Sequence, residues 1–345
     1  MRAVTGYRAV APGAPFERWD FERRDLRADD VAVRVTHCGV CHTDLHAWHN
    51  SGGAFPLVPG HEFVGEVAAV GEAVTGFAVG DAVAVGNIVD SCGVCAMCRV
   101  GQENFCREFP TLTYGGTDRH DGTPTYGAYA GEYVVSERFT YHRPAELDPA
   151  GVAPLMCAGI TVWKPLRRWV VGPGTAVGVV GLGGLGHLAV KFAHALGAEA
   201  TVFTTSPRKA DDARALGADH VVDSTDEKAM AGQADRLDLI LDCAPVAHDL
   251  APYLRCVALD GTLCSLGHLG PITVETLDLL VGRRSLSSAG SGGRRHTQDM
   301  LDFCGAHGIT ADVETLPSDE VNTALERLAR GDVRYRFALD LGAMV

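Results

Sequence analysis

The chain has 345 residues, 46% of them hydrophobic and 21% charged, with a formal net charge of −13. That length supports two domains with separate cores, and the composition is globular rather than disordered. The acidic balance excludes a nucleic-acid partner, which would need a dominant basic face. No apolar run approaches the ~20 residues that cross a bilayer, and the opening MRAVTGYRAVAPGAP lacks the apolar stretch of a signal peptide. A cytoplasmic protein, with no membrane or nucleic acid as partner, is therefore expected.

The first 150 residues carry short alternating runs, DVAVRVTHC, EFVGEVAAVG and DAVAVGNIV, which read as strands of a barrel-like β domain. From residue 151 the pattern changes to apolar strands alternating with helical stretches, the mark of a doubly wound parallel sheet over 151–290. Its predicted strands are Val177–Gly181, Thr201–Thr205, His220–Asp223, Leu237–Cys243, Thr262–Leu266 and Leu286–Ala289, with a helix over Leu185–Leu196 after the first. Two amphipathic helices, around MLDFCGAH and VNTALERLARG, and a last strand RYRFALDL exceed a six-strand nucleotide domain. The segment 291–345 is therefore expected to return to the first domain. The fold class is α/β plus β.

Eleven cysteines in a reducing compartment call for metal ligation rather than disulfides. Cys92, Cys95, Cys98 and Cys106 form C-x2-C-x2-C-x7-C within one short segment. Four thiolates on so compact a loop can close a tetrahedron around Zn²⁺ with no position left for water, which makes the site structural. An iron–sulfur cluster is the chemical rival, but the spacing lacks the proline that follows the bacterial ferredoxin run, and no second cluster motif occurs.

Gly181-Leu182-Gly183-Gly184-Leu185-Gly186 follows the strand AVGVV and opens a helix, the context in which G-x-G-x-x-G binds a dinucleotide. The first glycine makes the turn, the second lets the pyrophosphate approach, and the third lets helix and strand pack closely. An NAD site places Asp or Glu about 20 residues further on, at the ribose 2′-hydroxyl. Here that stretch reads Phe203-Thr204-Thr205-Ser206-Pro207-Arg208-Lys209, without a carboxylate. Hydroxyls and two cations suit the 2′-phosphate of NADP; the competing reading makes Arg208 and Lys209 solvated charges at a helix start.

Three further segments hold candidate ligands: Cys38-Gly-Val-Cys41-His42-Thr43-Asp44-Leu-His46, Gly60-His61-Glu62-Phe-Val-Gly65, and Met156-Cys157-Ala-Gly-Ile-Thr161. Spacing alone does not bring them together. With the four-cysteine loop, GLGGLGH, VFTTS and the late RYRF, they give a resemblance over essentially the whole chain. The chain resembles the zinc-containing medium-chain dehydrogenase/reductase family, and within it the cinnamyl alcohol dehydrogenases and bacterial broad-range aldehyde reductases. The resemblance implies a GroES-like β-barrel catalytic domain joined to a Rossmann domain, an active site in the cleft between them, and a homodimer.

Two ligand sets lead to an expectation of two zinc ions per chain, and the cofactor expected is NADP(H); the roles of individual residues are what the resemblance implies. The catalytic zinc would be held by Cys41, His61 and Cys157, with Glu62 as an alternate ligand and Asp44 orienting His61. Thr43 would relay the proton, His46 would be its terminal base, and Thr161 would lie against the nicotinamide. Trp48, Tyr114 and Trp163, near these motifs, are candidates for an aromatic pocket wall, and equally for domain core. Arg336 is a candidate for a cofactor phosphate. Gly290-Ser-Gly-Gly-Arg-Arg295 departs from the family's longer apolar loop and points to a more polar or anionic substrate group.

The function expected is hydride transfer between NADP(H) and an aldehyde/primary alcohol pair, in the direction of aldehyde reduction over a broad or aromatic range. An NAD-dependent alcohol or polyol dehydrogenase of the same family is the nearest alternative. A non-catalytic nucleotide or redox sensor is the alternative from another class, and such a scaffold relative would lack the ligands and relay present here.

Overall fold

The structure, a computed structural model, describes residues 1–344. The chain divides into two compact units, Met1–Cys157 together with the chain from Gly292 onward, and Ala158–Ser291. The change of unit therefore falls seven residues later than the change of pattern in the sequence suggested.

The first unit is built on a seven-stranded sheet. Six strands run in the order Val313–Pro317, Arg336–Asp340, Asp30–Val40, Phe63–Val70, Ala82–Val85 and Tyr141–His142, and Glu132–Ser136 also pairs with Asp30–Val40. The long strand Asp30–Val40 is buried along most of its length and sends Val31, Val33, Val35, Cys38 and Val40 into the core. The C-terminal strand Arg336–Asp340 runs antiparallel to its far end, with Phe337 opposite Val40 and Asp340 opposite His37. The tail thus delivers Arg336 beside Cys41, although the two are nearly the whole chain apart in sequence. The strand Val313–Pro317, parallel to Arg336–Asp340, was not anticipated; it is a short edge strand ending in proline, which periodicity hardly marks.

The second unit is a six-stranded parallel sheet in the order His220–Asp223, Glu199–Thr204, Ala176–Val180, Leu237–Asp242, Val257–Ser265, Ser285–Ser288. In sequence order this is 3-2-1-4-5-6, the doubly wound arrangement of dinucleotide-binding domains. The reversal of direction lies between Ala176–Val180 and Leu237–Asp242, and ligands of such sheets bind outside the carboxyl ends of the strands at that point. Val177, Val179, Ile240, Leu241 and Leu263 are fully buried, as strands covered on both faces require. Among the described residues no helix is long and apolar enough to cross a membrane.

Candidate metal centres and dinucleotide site

The four-cysteine loop is closed by its own backbone. Cys95 N donates to Cys92 Sγ at 3.4 Å and Cys92 N to Cys106 Sγ at 3.5 Å, while Gly93 and Gly101 adopt the left-handed backbone that folds the loop back on itself. Cys92 Sγ and Cys98 Sγ are 3.9 Å apart, Cys95 Sγ and Cys98 Sγ 3.5 Å, and all four sulfurs lie within 4.8 Å of one another. A tetrahedron with Zn–S bonds of about 2.3 Å places its sulfurs about 3.8 Å apart, so the loop fits one ion. A four-iron cluster, holding one cysteine on each iron, would spread the sulfurs farther. Backbone amides, that of Arg107 foremost, bring Cys95 down to about 6, favouring the thiolate a metal binds.

This lobe also anchors the tail. Buried Glu103 accepts from Arg294 N at 3.0 Å, at the start of the helix Arg294–His307. A Cβ at Gly293 would fall 1.9 Å from Gly101 O, so only glycine lets the two segments meet. Arg294 is therefore spent on Glu103, on the Arg138 carbonyl and on the ring of Phe139. Arg294, one of the two cations of the loop that departs from the family, thus has a packing role here.

The second centre assembles from three separated segments. Cys41 caps the helix His42–His49: its sulfur accepts from Thr43 N at 3.5 Å, and Asp44 Oδ2 accepts from Cys41 N at 3.0 Å, a capping box with a thiol in place of the usual hydroxyl. Cys157, at the end of the first unit, brings its Sγ to 3.9 Å from that of Cys41. His61 and Glu62 precede the strand Phe63–Val70, and Cys41, His61, Glu62 and Cys157 offer ligand atoms all within 4.8 Å of each other.

Two features show that this set suits a cation. His61 Nδ1 lies 3.1 Å from Asp44 Oδ1, while its Nε2 is buried with no hydrogen-bond partner among the described residues. A buried ring nitrogen of this kind, with its other nitrogen fixed on a carboxylate, is how metal-bound histidines are held. The Cys41 thiol is pulled well below its ordinary range by hydrogen bonding to Cys157, with burial opposing and Arg336 assisting, whereas Cys157 is pushed up by the same contact and by burial. Two sulfurs that compete for one proton would both ionise on a divalent ion. With three ligands from Cys41, His61 and Cys157, a zinc ion would keep one position open for substrate.

Glu62 is fully buried, and its partner is Arg336, itself only 5% exposed. Burial pushes the Glu62 carboxyl up, and the Arg336 charge opposes that shift. Glycine at position 39 makes the room, since a Cβ there would lie 2.4 Å from Glu62 Oε1. Arg336, expected at a cofactor phosphate, is thus buried in an ion pair at the metal centre. The sequence did not point to this pairing.

The remaining expected residues separate by environment. Thr43 is exposed, with its hydroxyl 3.6 Å from Cys41 Sγ, and His46 is exposed one turn further along the same helix face. Trp48 lies on the opposite, buried face; its Nε1 donates to Ala14 O at 2.7 Å and its ring packs on Phe16. It is domain core rather than pocket wall. Tyr114 is buried with its ring edge-on to His61, centroids 5.7 Å apart. In the second unit Trp163 packs on Phe192, and Thr161 Oγ1 accepts from Ser291 N at 3.4 Å.

The fingerprint glycines also differ among themselves. Gly181 has a left-handed φ of 84°, and a Cβ at Gly186 would meet Gly181 O at 1.9 Å. Nothing lies within 4 Å of a Cβ placed on Gly183, which leaves that backbone open to an approaching phosphate. Leu182 is buried, and Gly184 and Leu185 complete the turn into the helix Gly186–Ala195. Lys209 Nζ donates to Leu182 O at 3.0 Å, which ties the end of the second strand to the glycine loop. Thr204 Oγ1 accepts from Ser206 N at 3.1 Å, and Thr205 and Arg208 are exposed.

One closed thiolate site, one site with a position to spare, and a dinucleotide sheet in the same chain define the class of zinc-dependent dehydrogenases. The family model described as "Alcohol dehydrogenase GroES-like domain" matches residues 27–145, and "Zinc-binding dehydrogenase" matches residues 184–306. The chain is 44% identical to "Aldehyde reductase YahK" of Escherichia coli (strain K12), over 99% of this chain and 98% of that protein. The solved cinnamyl alcohol dehydrogenase SbCAD4 of Sorghum bicolor superposes with a TM-score of 0.95 at 41% identity, over 100% and 99% of the two chains. The cinnamyl alcohol dehydrogenase of Helicobacter pylori, solved with NADP(H), gives 0.92 at 33% identity over 100% and 99%. The chain therefore belongs to the zinc-containing medium-chain dehydrogenase/reductase family, in the group of cinnamyl alcohol dehydrogenases and aldehyde reductases, and is a zinc-dependent alcohol/aldehyde dehydrogenase. Its two cysteine-bearing ligand sets are compatible with one structural and one catalytic zinc.

Proposed function

We propose that this dehydrogenase works with NADP(H) and chiefly reduces aldehydes to primary alcohols. The observation that carries the cofactor choice is the end of the strand Glu199–Thr204. The carboxylate that would repel a 2′-phosphate is missing there, and Lys209 reaches back over the glycine loop. The Helicobacter pylori neighbour solved with NADP(H) is consistent with this choice. When bound, a catalytic zinc would polarise the substrate oxygen as a Lewis acid, and the nicotinamide would supply the hydride.

The chain's own residues hold and move the proton. Thr43 is poised beside Cys41 to give its hydroxyl proton to the developing alkoxide, and His46, exposed on the same helix face, replenishes it from solvent. Thr43→Val keeps the shape and removes the hydroxyl. It should lower kcat by about a hundredfold or more while leaving two zinc ions bound; full turnover in that variant would refute the relay.

Substrate breadth cannot rest on an aromatic wall that includes Trp48, since that ring is committed to the core. A steady-state comparison of NADPH and NADH over aliphatic and aromatic aldehydes tests the whole reading. NADPH should be preferred, and Lys209→Ala should raise its KM by about tenfold to a hundredfold with little effect on NADH, the worth of one charge-assisted hydrogen bond. Equal use of NADH by the unaltered enzyme would instead favour the NAD-linked alcohol or polyol dehydrogenase.

A further inference from the structure

Asp44 is entirely buried and collects more hydrogen bonds than orienting one histidine requires. Its Oδ1 accepts from Gly60 N at 3.1 Å and faces His61 Nδ1 at 3.1 Å. Its Oδ2 accepts from Cys41 N at 3.0 Å and from the Tyr129 hydroxyl at 3.3 Å. Tyr129 is itself fully buried and packs edge-on against Phe16. It also fixes the residue before the ligand, because Gly60 has a left-handed φ of 98° and a Cβ there would strike Tyr129 Cδ1 at 2.6 Å. Tyr114 approaches from the other side, its ring edge-on to His61 and its hydroxyl buried with no hydrogen-bond partner among the described residues. The segment carrying it is rigidly held: Thr113 Oγ1 donates to Gly86 O at 2.5 Å, and Tyr133 OH donates to Thr113 O at 2.8 Å.

We propose that Tyr114 and Tyr129 are positioning residues that clamp Asp44 and His61, so that His61 Nε2 stays aimed at the metal position between Cys41 and Cys157. The physical reason is rotational freedom. A carboxylate held only by two backbone amides and one imidazole can still tilt about its own axis, and the imidazole tilts with it. A phenol on Oδ2 and an aromatic edge against the ring remove that freedom, and a ligand that cannot turn away releases its ion slowly. Tyr114, counted at first among candidates for the substrate wall, thereby acts through His61 and not on substrate. The inference rests on the catalytic zinc reading of the same site.

The test is zinc release into a chromogenic chelator from the zinc-loaded protein, with the catalytic phase identified as the one that His61→Ala lacks. Tyr129→Phe, which removes the phenol from Asp44, and Tyr114→Leu, which removes the aromatic edge from His61, each should release that phase about tenfold faster, and the double variant faster still, with the four-cysteine phase unchanged. Tyr141→Phe is the control, since it removes a buried hydroxyl whose neighbours are Thr297, Arg294 and Glu103 instead of Asp44 or His61. In the cobalt-substituted protein the visible d–d bands should shift in the two test variants and stay in place in the control. Catalytic-phase release no faster than in Tyr141→Phe, with unshifted bands, would overturn the clamp alone. An unaltered protein lacking any phase that His61→Ala removes would sink the zinc reading and the clamp together.

Discussion

His61→Ala is expected to leave the protein with one zinc ion instead of two and to lower kcat/KM for aldehyde reduction by about a thousandfold or more. The magnitude follows from the several kcal/mol of transition-state charge stabilisation that a Lewis-acid metal supplies, at 1.36 kcal/mol per tenfold in rate. The fold should tolerate the change. Asp44 keeps its bonds from Cys41 N, Gly60 N and Tyr129 after the imidazole is gone, so the helix cap at Cys41 survives. The four-cysteine loop shares no residue with this centre and should retain its ion. Metal analysis beside steady-state kinetics separates the outcomes. Two zinc ions with lost activity would mean that His61 serves something other than metal binding, and one zinc ion with full activity would remove the metal from the chemistry altogether.

How much of this site is written in the sequence depends on how local each part is. The four-cysteine loop is legible because its ligands fall within fifteen consecutive residues, so chain connectivity alone brings the sulfurs within 4.8 Å. The glycine fingerprint is legible for the same reason, and the six predicted strands around it lie within a few residues of where the sheet has them. Cys41, His61 and Cys157 are a different case. They converge through long-range pairing, and only likeness to a family could single them out from eleven cysteines and fourteen histidines.

Two residues show what was readable and overlooked, and what was not readable at all. Trp48 stands four residues after Asp44 on one helix face, whereas Thr43 and His46 share another. That spacing sets tryptophan with the buried carboxylate and apart from the exposed relay, so helical periodicity would have assigned it to the core. Arg336 offers no such signal. Its meaning comes from the register that sets Phe337 opposite Val40, and register between strands so distant in sequence is decided by packing of the whole sheet.

Arg336→Ala should be among the most damaging single substitutions in the chain, costing about 3–5 kcal/mol of stability, because it strands a buried carboxylate whose counter-ion is gone. Glu62 has no exposed surface, and its Oε2 already lacks a hydrogen-bond partner among the described residues. Of the remaining neighbours only His61 relieves the Glu62 carboxyl, while burial, Cys41 and Asp44 all push it up. Glu62→Gln removes the charge while keeping the shape, and it should cost less than Arg336→Ala. The double variant Arg336→Ala/Glu62→Gln should then recover much of the stability lost in Arg336→Ala, because the stranded charge is the dominant cost and the cavity left by the arginine the lesser one. Urea unfolding of the four proteins in a double-mutant cycle measures this directly. Additive losses would show that Arg336 stabilises through packing alone, and that the ion pair joining the C-terminal strand to the metal centre contributes little to the fold.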